Sequence, residues 1–460
     1  MTLRDSDHNP YTNGPIGRIY AMTALPIIAV MATNGLLTIA DAIFLGVFVG
    51  PAALSAVTVI FPIVMLLVAL ATMVSAGMAS ELARQFGGGW IEEARATFWG
   101  AHGLGLAVCA LVIVAFIVFG RSVILSAANG QADLAKMANV YLAITIAFSP
   151  VAMMLSLNSD ALRVEGRVGL MAGLSLMVSL ANIGFNYVLI GVFGLGVAGS
   201  ALGTVAAQAC ALVAVLGFRI AGRTRLRLDT FSVDSLGVGW LRYLSLGAPP
   251  SLTFVGLALG SGLVIAMVQQ FGAEHYETTV AAYGVINRIL SLTFLVLLGL
   301  SQALQAIVGN NYGAGLFERS DATLRLSIGV ALAFSLTAQT VLFVFRDSWG
   351  YLFVDDPLVA AEVGRILPVM TAVYLLVGPQ VMIVGYFQAI GDARRTAVLG
   401  LTRTYALMLP LTLFLPWIFG ETGIWIAGPV AETVLAALTA AVLAHAARGG
   451  GPRLGLFMAR

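Results

Sequence analysis

Asp41 stands in "LLTIADAIFLGVF" (36–48), and no other ionisable side chain occurs between Ala24 and Gly50. A charge is costly to hold in so apolar a run, and a carboxylate that can exist in either protonation state can load and release a proton. Polar company for it comes from "SLANIGFNYVLIG" (179–191), where Asn182 and Asn186 are four residues apart and share one helical face. Tyr141 and Thr204, each near the end of its own apolar stretch, complete a set able to hydrogen-bond the carboxylate. A plainer reading also fits: a structural Asp bonded to its helix neighbours, with Asn and Thr as glue between helices. Pro26 interrupts the same run as Asp41 about four turns earlier, which makes either a bendable point or a shaped packing surface.

Weaker candidates are spread further along the chain. Asn34, Arg288 and Gln380 are polar residues inside apolar stretches and are candidates for lining a substrate cavity. Arg288 either faces such a cavity or pairs with a carboxylate, Glu432 being the candidate partner. Asp160 and Arg163 are expected to form an ion pair near a helix end. Cys109 and Cys210 sit in separate apolar stretches and read as buried small hydrophobes, not a disulfide or metal pair. The four histidines are scattered, and HExxH, GxSxG, GxxxxGK and CxxC are all absent, so neither an enzyme nor a resident metal or cofactor is expected.

The elements that must position these residues follow from composition. Of 460 residues 59% are hydrophobic and 10% charged, against roughly 25% charged in a soluble domain, so most of the surface must face lipid. The net charge of +2, without a basic run, does not suggest nucleic acid. Stretches of about 20 apolar residues, enough to cross a bilayer, give twelve spans: 17–48, 52–84, 96–119, 136–163, 168–192, 196–221, 241–271, 278–309, 322–345, 363–389, 395–419 and 422–446. A polar linker, 222–240, is expected to be cytoplasmic and tolerant of change.

The second half echoes the first. "QFGGGWIEEAR" (85–95) returns as "NYGAGLFERSD" (311–321), and "RVEGRVGLMAG" (163–173) pairs with "QAIGDARRTAV" (388–398). Pro26 falls on Pro249, but Val264 stands where Asp41 would have its counterpart. Six spans per copy is an even number, so the copies enter from one side as a parallel repeat about the membrane normal, with a cavity between them. The expected fold is therefore an all-α membrane protein: an N-lobe over 1–221, the linker 222–240, and a C-lobe over 241–460 with a short tail. Most of the 24 Lys and Arg fall at the termini and after even-numbered spans, which puts both termini in the cytoplasm. The first 15 residues lack the apolar core of a signal peptide and read as a cytoplasmic tail.

With "AGMASELARQFGGGWIEEAR", "GLSQALQAIVGNNYGAG" and "GYFQAIGDARRT", the chain resembles the multidrug and toxic compound extrusion (MATE) transporters over roughly 17–446. The "LP" and "DAIFLG" of span 1 are similar to the DinF branch, while Asn186 follows a NorM-like pattern in span 5. The resemblance implies a monomeric inner-membrane antiporter that expels amphipathic, often cationic drugs in exchange for H⁺ or Na⁺. It implies Asp41 as the carrier of the coupling ion, Tyr141, Asn182 and Thr204 as its companions, and Pro26 as the hinge. NorM-like carboxylates are absent from "SLTFVGLAL" and "YLLVGPQV", which favours proton coupling, with Na⁺ coupling as the alternative. A lipid-linked substrate flippase, a channel and a non-transporting sensor are rival readings.

Overall fold

The computed structural model describes residues 9–128, 131–272, 275–448 and Leu456, so most of both tails lies outside the described residues. Those residues form helices and their connections only. Ten helices are long and apolar enough to cross a membrane, and two further helix pairs, each bent at a short break, bring the number to twelve.

Span 1 is Ile16–Phe44, span 2 Pro51–Gly88 and span 3 Ile91–Ala127. Span 4 is the pair Ala132–Ala147 and Ser149–Val164, span 5 Val168–Asn186 and span 6 Gly196–Ile220. The second half repeats this with span 7 (Trp240–Phe271), span 8 (Tyr276–Gly313) and span 9 (Phe317–Val344). Span 10 is the pair Pro357–Met370 and Tyr374–Ile390, span 11 runs over Ala393–Phe419, and span 12 is Glu421–Arg448. The bends fall at equivalent places, 50° in span 4 and 52° in span 10. Proline explains both: Pro150 opens the second piece of span 4, and Pro368 removes a donor just before the break in span 10. Large apolar side chains such as Leu111, Ile117, Val213 and Ile418 are exposed along the helices, as lipid-facing surface requires.

Pairing of the repeated glycine motifs has a local cause. Gly89 and Gly315 have φ of 75° and 72°, and Gly166 and Gly391 have φ of 81° and 84°. Each closes a helix in the left-handed conformation that a side chain resists, so these motifs are helix stops.

The chain divides into two compact units, and not at the linker. One unit holds 1–13 and 25–251, the other 14–24 and 252–460. The handovers lie inside spans 1 and 7, beside Pro26 and beside Pro249 and Pro250. In the first unit Tyr243 is buried against span 2, where a Cβ on Gly77 would come within 2.0 Å of the Tyr243 carbonyl oxygen. In the second, the buried Tyr20 donates from its hydroxyl to the carbonyl of Leu300 in span 8 at 3.0 Å.

The linker is not the loose connection its polarity suggested. Arg219 is fully buried and binds Glu165 at 3.0 Å, Asn158 at 2.6 Å and the Leu226 carbonyl at 3.0 Å. Leu226 is itself buried, and Gly100 and Gly103 on span 3 let the backbone of Val238 and Leu236 approach closely. Polarity misled because these polar groups bond inward.

Candidate functional site

Span 1 and span 5 place Asp41 beside two amides. The Nδ2 of Asn186 donates to Oδ1 of Asp41 at 2.5 Å and to Oδ1 of Asn182 at 3.1 Å. The Nδ2 of Asn182 then donates to Oγ1 of Thr204 on span 6 at 2.9 Å, and that hydroxyl donates to the Ser200 carbonyl at 3.2 Å. Asn182 and Asn186 are fully buried, while Asp41 is part-buried. The four-residue spacing on span 5 produces this ladder, because it stacks the two amides one turn apart on one face.

The chain of bonds has two loose ends. Asn186 engages Oδ1 of Asp41, and Oδ2 makes no hydrogen bond among the described residues. The Oδ1 of Asn186 is buried without a partner among the described residues and lies where a Cβ on Gly203 would come within 2.3 Å. An Asn amide offers a donor on one side and an acceptor on the other. As placed, its donor serves an ionised Asp41; turned over, its acceptor would serve a protonated one.

Both helices change character at this point. Span 1 passes directly into a π-helical stretch, Leu45–Val49, and span 5 into another, Tyr187–Val192. Such wide turns are uncommon and recur at functional sites.

Among the other expected members, Tyr141 packs with the apolar cluster of Ala56, Ile60 and Leu142. No hydrogen bond joins it to Asp41 among the described residues. Asn34 is exposed on span 1 and accepts from Ser175 on span 5 at 3.4 Å. Pro26 lies inside a continuous helix. Asp160 and Arg163 pair at 2.9 Å. Cys109 is buried, but Cys210 is exposed on span 6, where an apolar surrounding does not require burial.

Arg288 does not pair with Glu432. It is exposed on span 8, and Glu432 is held by Arg403, with Nε at 2.6 Å and Nη2 at 2.5 Å from Oε1. The Nε2 of Gln380 donates to the other carboxylate oxygen, Oε2, at 3.3 Å. Sequence reasoning missed Arg403 because it lies near the expected cytoplasmic end of span 11 and read as one more loop arginine. No linear signal marked it, since Arg394 and Arg395 precede it in the same span.

Comparison with known proteins agrees with this architecture. The MatE family model matches residues 26–188 and again 249–414, once in each half. The FAD transporter of Shewanella oneidensis is 25% identical over 93% of this chain and 94% of its own. Multidrug export protein MepA of Staphylococcus aureus is 22% identical over 97% of both chains. An outward-facing multidrug resistance MATE transporter superposes with a TM-score of 0.84 at 21% identity, covering 94% of this chain and 95% of that one.

Proposed function

Because the chain belongs to the MatE family, we propose that this multi-pass membrane transporter is a secondary active antiporter in the inner membrane, exporting amphipathic, cationic drug-like compounds in exchange for protons. The observation that carries the reading is the Asp41–Asn186–Asn182–Thr204 chain of hydrogen bonds, in which the buried Oδ1 of Asn186 has no partner among the described residues. In the ionised state Asp41 attracts a cationic ligand; in the protonated state it packs against span 5 without one. Proton and ligand then exclude each other, which makes exchange obligatory.

Reconstituted protein tests this directly. Addition of a transported cation such as ethidium to purified protein should release protons, and an imposed pH gradient should drive efflux. Asp41→Asn keeps shape and hydrogen bonding but cannot titrate, so both signals should vanish while the protein still folds. Efflux at the wild-type rate in that variant would overturn the proton assignment, and drive by a Na⁺ gradient alone would replace H⁺ with Na⁺.

A second reading is export of a flavin dinucleotide. It is favoured by the FAD transporter relative, which matches this chain along nearly its whole length. Counterflow of FAD in the same proteoliposomes, saturable and competed by unlabelled FAD, would support it.

A further inference from the structure

Away from the coupling site, the second unit carries a cavity of about 700 Å³ where span 11 begins and span 12 ends. Asp392, Arg394, Arg395 and His445 line it at the helix ends. Its remaining wall is apolar and lies one turn further in. Val398 follows Arg394, and Leu399 follows Arg395, by four residues, about 6 Å at 1.5 Å per residue. On span 12, Val442 stands three residues before His445. Both helices therefore put basic side chains at the rim and aliphatic ones behind them. Leu399 is buried and closes the wall, while Val398 is exposed, so the cavity opens on the side that faces lipid.

The rim is not neutralised from within. Asp392 is already engaged: one carboxylate oxygen accepts from the Arg395 backbone N–H at 3.0 Å, and the other pairs with its Nε at 3.4 Å. Arg395 is also held over the ring of Phe387 at 5.1 Å. Arg394 is exposed and has no ion pair or hydrogen bond among the described residues. The repeat shows that the fold does not need these two cations here. Gly166 and Gly391 close their helices alike, and in that register Gly169 and Leu170 stand where Arg394 and Arg395 do. The paired arginines belong to the second half alone, and the cavity lies beside them.

A basic rim above an aliphatic wall, at the edge of a membrane span, suits an amphiphile with an anionic head. Guanidinium groups present paired N–H donors that match phosphate oxygens. Basic pockets between helices at a membrane surface accept anionic lipid heads. A free phosphate would leave the aliphatic wall wet, and a neutral chain would leave Arg394 unpaired. We propose that this cavity holds one anionic phospholipid, its phosphodiester between Arg394 and His445 and the start of an acyl chain against Val398 and Val442. The inference is independent of which compound the protein exports.

Native mass spectrometry of the full chain in detergent tests this with two lipids of identical chains, palmitoyl-oleoyl phosphatidylglycerol and the corresponding phosphatidylcholine. Wild-type protein should bind the first about tenfold more tightly than the second. Arg394→Gln should weaken phosphatidylglycerol about fivefold, the contribution of one basic residue beside an anionic head, and leave phosphatidylcholine unchanged. Val398→Glu, which sets a carboxylate on the wall, should weaken phosphatidylglycerol at least as much. Arg223 is exposed in the linker, away from the cavity, so Arg223→Gln removes the same charge and should leave the preference intact. Equal losses in Arg223→Gln and Arg394→Gln would mean general attraction to a basic surface and would overturn the site, as would a wild type without preference. Glycerol 3-phosphate supplies the head without a chain and should not displace the lipid at equal concentration. Displacement would make this a site for a soluble phosphate ester and overturn the lipid assignment. Should Val398→Glu fail to fold, the two arginine variants decide the matter alone.

Discussion

Gly203 decides how the amide of Asn186 can turn, since any Cβ at that position would press on its oxygen. Gly203→Ala should therefore impair proton-driven efflux while costing only ~1–3 kcal/mol of stability, the usual range for overpacking. Efflux rate and thermal unfolding measured together check this, and an unchanged rate would remove Gly203 from the mechanism. Arg219 makes a contrasting case. Its pair with Glu165 is fully buried, so Arg219→Met should destabilise by ~3–5 kcal/mol, whereas replacing both residues by Met should recover much of the loss. Thermal unfolding in detergent distinguishes the two outcomes.

The Asp41 group was legible in the sequence because its members differ sharply from their surroundings and Asn182 and Asn186 obey helical spacing. Arg403 and Glu432 were not, because nothing in a linear reading tells an arginine at a span's margin from one several residues inside it. The Gly203 contact was equally invisible, since a glycine in an apolar helix carries no sign of what lies opposite.

At the scale of elements, span 1 is continuous through Pro26 although proline removes a ladder hydrogen bond there. Ala in place of a helix-interior Pro gains up to ~3 kcal/mol in propensity. Pro26→Ala should thus unfold no more easily than wild type yet transport more slowly, if bending at that point belongs to the cycle. Full activity in a stabilised variant would assign Pro26 to packing alone. The spans themselves were legible by length and apolarity. The bends in spans 4 and 10 were not, because hydropathy is blind to a 50° change of direction, and the packing of the linker was hidden by its polar composition.

For the whole molecule, the repeat read from paired motifs reappears as paired bends, paired helix stops and two matches to one family model. The two halves should superpose by a rotation near twofold about the membrane normal, and an experimental structure with an in-plane axis would refute this. Asp234 is exposed in the linker, so Asp234→Cys, with both native cysteines replaced, should react with an impermeant maleimide only in inside-out vesicles. Labelling from the other face would reverse the orientation.

The handover of chain between units also sets an order of assembly. Tyr20 is made among the first residues, but its seat on span 8 is synthesised some 280 positions later. Tyr243, by contrast, reaches a span 2 that is already complete. The opening turns of span 1 must therefore wait, unseated, for most of translation. A chain cut within the linker would yield a first fragment without the segment 240–251 that its unit includes and with a leading turn belonging to the other unit. The two fragments should accordingly be stable only when made together, each supplying the opening turns of its partner's bundle.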